Sequence, residues 1–297
     1  MWIKPWTMKE GFLIGGGLIF AGLMLQLAVG GVAWAAFAWP ANGIVLAAFL
    51  AIAAALFVLR RRVYAFRFIA TYQSAIPTLV YAAILTTVMG LTRQTVDGKW
   101  LSNMLSFWPF VLIYVYMALT LALVILKQLR AVMTNRSLST LRPSLLLHLG
   151  LFIALTTATL GNADMQRLKM LTMVGQPEWR ALTQEGVVRD MPLAIELKRF
   201  IMETYDDGSP KRFASKIQVL TKSGKDIQAT VDVNKPVEVD GWRIYQYGYD
   251  TAMGAMSQTS ILELVSDPWL PLVYTGIYMM LGGAVCMFVF GGRRQRA

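Results

Sequence analysis

Six stretches of this chain are apolar for long enough to cross a bilayer, at about 11–35, 42–59, 75–92, 104–126, 144–161 and 269–291. Roughly 20 helical residues cover the 30 Å or so of hydrocarbon, and a spanning segment must satisfy its own backbone hydrogen bonds, so each run is expected to be a transmembrane helix. Composition agrees. Of 297 residues 56% are hydrophobic and only 15% charged, against about 25% charged in an ordinary soluble domain.

Lys and Arg collect on the cytoplasmic side of membrane proteins. "RRRVYAFR" at 60–67 carries four arginines, and the connection at 127–143 carries Lys127, Arg130, Arg136 and Arg142; both are expected inside. The tail "GGRRQRA" is basic, the N-terminus has Lys4 and Lys9, and the first connection, "WPAN" at 39–42, has no charge. Both termini are therefore expected in the cytoplasm, with the chain in a bacterial inner (plasma) membrane. The net charge of +11 reads as topology and contact with anionic membrane lipid, not as a nucleic-acid footprint. The first apolar run, though preceded by charge and holding Ala33-Trp34-Ala35, is nearly twice the usual length of a signal-peptide core and is expected to stay as an anchor.

Three regions follow: 1–161 with five spans, a polar extracytoplasmic segment at 162–268, and 269–297 with the last span and basic tail. Within the polar segment, "NADMQRLKMLTMVGQPEWRALTQEG" has apolar residues three and four apart and predicts one or two short helices. Beyond it the pattern alternates: Ile217 and Val219, then Ile227, Ala229, Val231 and Val233, then Trp242, Ile244 and Tyr247, separated by "KSGKD", "NKP" and "VDG". Antiparallel strands with Gly and Pro turns are expected. "LAIELKRFIMETY" at 193–205 is assigned as strand because "DDGSP" follows it. The fold class is thus a bundle of six transmembrane helices with a small, mainly-β sandwich or open barrel inserted before the last helix.

The inventory excludes much chemistry. The outer segment has no His and no Cys, so it holds no Ser-His-Asp triad and no zinc site, and no catalytic residue is assigned. Cys286 is the only cysteine, so a redox pair within the chain is impossible and the residue reads as core. "GGG" at 15–17 lies inside the first span, where small residues permit close helix approach.

His148 is the only histidine, six residues past Arg142 in an otherwise apolar run. That puts it about 9 Å into the helix, with Ser144, Leu145, Leu151, Phe152 and Leu155 as helical neighbours. A neutral imidazole hydrogen-bonded to Ser144 or to an adjacent helix is one account. Axial ligation of haem iron heads the functional ones, because ionisable groups at membrane depth are costly. Trp34, Trp39, Trp100, Trp108, Trp242, Tyr245, Tyr247, Tyr249 and Trp269 read as an interfacial belt plus β-domain core, or as a stacking surface for a porphyrin or partner.

"MPLAIELKRFIMETYDDGSPKRFASKIQVL", "VDVNKPVEVDGWRIYQYGYD" and "SDPWLPLVYTGIYMMLGG" together resemble the ResB (CcsB) family of cytochrome c biogenesis proteins. The matching positions are Pro192, Tyr205, Gly208, Pro210, Phe213 and Ser215, then Val233, Asn234, Pro236, Gly241, Tyr245, Gln246 and Tyr249, and lastly Asp267, Pro268 and Gly276. "LLHLGLFIALTTATLG" resembles the helix that bears that family's haem-ligand histidine, and His148 is the residue that matches. The resemblance implies a non-autonomous subunit of the system II cytochrome c synthase, a haem lyase. It would handle and export haem b for covalent attachment to apocytochrome c, together with a CcsA-like membrane partner. His148 would be one axial ligand of the haem iron, the other coming from elsewhere. Five spans precede the outer domain here, where the family usually has three. The alternative is a scaffold without haem that docks a partner through its outer β domain.

Overall fold

The computed structural model describes residues 2–95, 98–135, 143–207 and 209–291. Their contacts divide the chain into two compact units, Met1–Ala163 with Trp269–Ala297, and Asp164–Pro268. The first is helical: α1 (Met8–Val29), α2 (Ala41–Leu59), α3 (Tyr64–Ile69), α4 (Tyr72–Leu91), α5 (Trp108–Asn135), α6 (Pro143–Gly161) and α7 (Leu270–Gly291). All but α3 are long and apolar enough to cross a membrane, as the six runs predict. α1 opens with a capping box in which Thr7 and Glu10 satisfy each other's orphan groups.

One boundary differs. α5 continues as helix through Lys127–Asn135, where a loop is expected from 127. Lys, Gln, Leu and Arg are good helix formers, and the end of the apolar stretch does not end the helix. Arg136, Arg142 and the basic tail lie outside the described residues.

α6 and α7, far apart in sequence, lie against each other through glycine. A Cβ on Gly150 would sit 2.6 Å from the carbonyl oxygen of Gly276, and one on Gly276 would sit 2.5 Å from the backbone nitrogen of Ala154. Small residues let the two backbones touch, which is how helices gain van der Waals contact where lipid removes the hydrophobic incentive.

The second unit is one eight-stranded, wholly antiparallel sheet: β1 (Gln166–Met173), β2 (Pro177–Leu182), β3 (Val188–Thr204), β4 (Pro210–Thr221), β5 (Asp226–Asp232), β6 (Val237–Val239), β7 (Trp242–Tyr249) and β8 (Thr259–Ser266), in the order β5-β4-β3-β2-β1-β8-β7-β6. Met170, Ile195, Leu197, Ile217, Val219, Ile244, Leu262 and Leu264 form its core. The helices expected from the 162–186 segment are strands β1 and β2 instead. Every residue of β1 from Gln166 to Met173 pairs with β8. Leu168, Met170 and Thr172 point inward with period two, while Leu171, which the helical spacing counted, is 53% exposed. Pairing with a strand some 90 residues away overrides the local pattern. β7 keeps plain alternation from Ile244 to Gln246, so Gln246 is buried and Tyr247, expected to face inward with Ile244, is 52% exposed; the register shifts only beyond Gln246, before Gly248.

A buried polar strip crosses the sheet interior. Ser215 on β4 donates to Ser260 Oγ on β8 at 2.7 Å, although four strand-to-strand steps separate them, so the sheet curls over on itself. Gln246 Nε2 donates to the same oxygen at 2.9 Å, and Thr172 donates to the Ser260 carbonyl at 2.9 Å. Removing the shared hydroxyl leaves buried donors without an acceptor. Ser260→Ala is therefore expected to cost about 1–3 kcal/mol, seen as a lower denaturation midpoint by Trp242 fluorescence and faster amide exchange in β7 and β8.

Arg212 ties the far end together, bonding Asp232 at 2.7 Å and Glu203 at 2.9 Å. The hydrogen bond from Arg212 holds the Asp232 carboxyl below its usual range. A depressed carboxyl stabilises the fold above the unfolded-state pKa of about 3.9 and loses that contribution as pH falls through the lower folded value. Asp232→Asn is expected to flatten the pH dependence of β-domain stability below about pH 4, measured by acid titration of the sheet's circular dichroism.

Candidate haem-ligand site on α6

His148 lies on α6, half-buried among apolar side chains. Its Nδ1 is 2.5 Å from the Ser144 carbonyl oxygen one turn back, and 3.4 Å from Gln128 Nε2 on α5. Two lone pairs facing each other at the shorter contact would repel, so Nδ1 carries the proton and donates to Ser144; this tautomer is assigned from the contact. In the neutral ring this tautomer leaves the lone pair on Nε2, and no hydrogen bond to Nε2 is present among the described residues. An imidazole fixed through Nδ1–H to a carbonyl, with Nε2 available, is the arrangement in which histidine binds a metal. The donor set fits a haem iron: one imidazole on an apolar helix, with no cluster of His, Cys, Asp or Glu for a bare ion among the described residues.

The wall beside the imidazole is aliphatic and aromatic. Leu145 and Phe152 pack with Ala53 of α2 and with Ala122 and Ile125 of α5, and Phe152 stacks on Phe49 with centroids 6.2 Å apart. α2 and α6 run antiparallel at this crossing.

Further along α6, beginning eight residues or about 12 Å past His148, Thr156 and Thr159 line an apolar cavity of about 490 Å3 with Trp34, Phe49, Trp108 and Tyr114. The Trp108 indole nitrogen is buried with no hydrogen-bond partner among the described residues. Of the aromatics picked out in the sequence, Trp34 and Trp108 thus meet at one cavity, whereas Trp39 is exposed and Trp100 lies against Phe107. In the β domain Trp242 packs on the core, Tyr249 stacks on Phe200 at 4.9 Å, and Tyr247 lies under the Lys169 ammonium. Gln128 is the site residue that sequence reasoning missed, because it falls just past the expected end of its span.

Six bilayer-length apolar helices and an antiparallel β domain inserted before the last define the class: a polytopic membrane protein with one large inserted sheet domain. The ResB-like family profile matches residues 142–261, which runs from the start of α6 into β8 and takes in His148, so the resemblance to the ResB (CcsB) family is borne out over that stretch. A cytochrome c biogenesis protein CcsB from Prochlorococcus marinus subsp. pastoris is 28% identical over 139 residues, 46% of this chain and 31% of that protein. Among solved structures, a cytochrome c heme lyase CcmF aligns over 95% of this chain and 46% of its own, with a TM-score of 0.37 and 14% identity. The matches therefore take in less than half the length of either protein.

Proposed function

We propose that this chain acts in cytochrome c biogenesis as a non-autonomous subunit of a system II cytochrome c synthase, with His148 as an axial ligand to haem b. The observation that carries the proposal is the imidazole itself: the only one in the chain, inside the family-matched helix, tied through Nδ1 and with no hydrogen bond to Nε2 among the described residues. Haem supplies the vinyl groups to which cytochrome cysteines attach. The chain's own part would be to present Nε2 to the iron, to hold the ring through the Nδ1–H donation to the Ser144 carbonyl, and to pack Leu145, Phe152 and Ala53 beside it. A second iron ligand would come from another protein or from a weaker donor such as Met, and the attachment chemistry would be completed with a CcsA-like partner.

In this account the protein sits in the bacterial inner membrane with both termini in the cytoplasm. The basic connections are inside, and residues 162–268 lie outside, where apocytochrome c is met. His148, near the start of α6, is then in the cytoplasmic half, where haem enters for export. The test is reconstitution: the chain, its CcsA-like partner and an apocytochrome c with a CxxCH site, expressed in a host without its own maturation system. Haem-stained holocytochrome is expected only when both membrane proteins are present; equal staining without this chain contradicts the proposal.

A second reading rests on the β domain, whose broad sheet carries no catalytic set: a scaffold that docks a partner, with His148 merely hydrogen-bonded. It predicts that partner association survives loss of His148 and that haem content does too.

A further inference from the structure

At the end of the bundle where α2 ends and α4 begins, Lys4, Arg60, Arg61, Arg62, Arg67 and Lys127 line a single cavity of about 640 Å3. Among the described residues of the helical unit Glu10 is the only acidic side chain, and its carboxylate is taken by Thr7 through two bonds of 2.7 and 2.8 Å. The ion pairs found all lie in the β domain. Partial burial, then Arg130 and Arg61, hold the Arg60 guanidinium below its ordinary range, as expected where positive potential has no counter-charge.

The cavity is also built. Trp6 donates its backbone N–H to the Tyr64 hydroxyl at 3.0 Å and lies edge-on to both Tyr64 and Phe68. These contacts pin the N-terminal segment onto α3 and set the Lys4 ammonium 5.0 Å from the Tyr64 ring centre. Its position relative to His148 follows from the helices. Ala53 packs in one cluster with Leu145 and Phe152, so it marks the level of His148 on α2, and Arg60 lies seven residues, about 10 Å, further toward the cavity end. Lys127 lines the cavity, and the next residue, Gln128, contacts His148.

We propose that this basic cavity binds the paired carboxylates of the tetrapyrrole whose iron His148 ligates, a second point of attachment that sets the orientation of the ring. This rests on the haem reading above. Haem is a flat metal complex with two carboxylates on one edge. A metal ligand at depth and cations toward the aqueous end match that polarity, and arginine binds carboxylates in a fixed two-point geometry.

The test compares haem with haem dimethyl ester, which keeps the iron and loses both charges. The full chain with its partner is purified in nanodiscs of phosphatidylcholine, and binding is titrated at the Soret band for wild type, Arg61→Gln/Arg67→Gln and His148→Ala. Wild type is expected to prefer haem over the ester about tenfold or more. The double arginine variant should lose that preference while its ester affinity changes less than about threefold. An undiminished preference in the arginine variant overturns the proposal and leaves the haem reading standing. Unchanged haem binding in His148→Ala overturns the haem reading, and the proposal with it. A variant that keeps its haem preference but no longer retains phosphatidylglycerol, when purified from native membrane, assigns the cavity to lipid headgroups and also overturns the proposal.

Discussion

His148→Ala is expected to abolish c-type cytochrome maturation while leaving the chain folded and inserted. The alanine removes the only imidazole and no packing of consequence, since the ring is half-buried and the adjoining core is made by Leu145, Phe152, Ala53 and Ile125. Loss of a direct ligand should exceed the 10–100-fold cost typical of disturbing a group that only supports one. His148→Gly with added imidazole sharpens the expectation. A small ligand entering the vacated space should restore part of the haem-stained cytochrome, whereas a role in packing or partner docking gains nothing from it. Maturation within about twofold of wild type in the alanine variant would end the ligand assignment.

The second large effect is expected at the α6–α7 contact. Gly276→Leu places a branched side chain where even a Cβ meets the Ala154 backbone at 2.5 Å and the Gly150 carbonyl at 2.6 Å. Backbone cannot yield as the tip of a flexible side chain can, so the helices must separate along their length. The cost is expected to exceed the 1–3 kcal/mol of ordinary overpacking. α6 also carries His148 two residues from Gly150, and a displaced α6 takes the imidazole away from Gln128. The expected result is a sharp fall in the amount of intact protein in membranes, with the remainder haem-free. Gly276→Ala should show the same trend more weakly. Normal accumulation and haem content of Gly276→Leu would show that the close approach is not what holds α6 in place.

Some of this was legible in the sequence for simple reasons. Spanning helices announce themselves because lipid demands a continuous apolar run, and the sole imidazole at depth is conspicuous for the same reason. The assignment of that imidazole to haem came from the resemblance around "LLHLGLFIALTTATLG" and the "VNKP" and "YQ" positions, not from spacing. What stayed hidden depends on partners distant in sequence. β1 looks helical until β8 supplies its hydrogen bonds. Tyr247 looks inward-facing because it is aromatic, whereas alternation from Ile244 turns the polar Gln246 inward to the Ser260 hydroxyl that Ser215 also meets. Gln128 appears to lie in a loop because hydropathy falls at Lys127, whereas the helix continues and delivers the side chain to His148. The basic cavity is visible in sequence only as scattered charges; α3 and the pinned N-terminal segment gather them.

The most direct test of the central claim is the absorbance spectrum of the chain purified with its CcsA-like partner, as wild type and as His148→Ala, at matched protein concentration. The account predicts a Soret band in the wild type that is lost or greatly reduced in the variant, with the two proteins still copurifying. A band of equal height and position in both would place the iron ligands on the partner and leave His148 as a hydrogen-bonded residue of the α5–α6 contact.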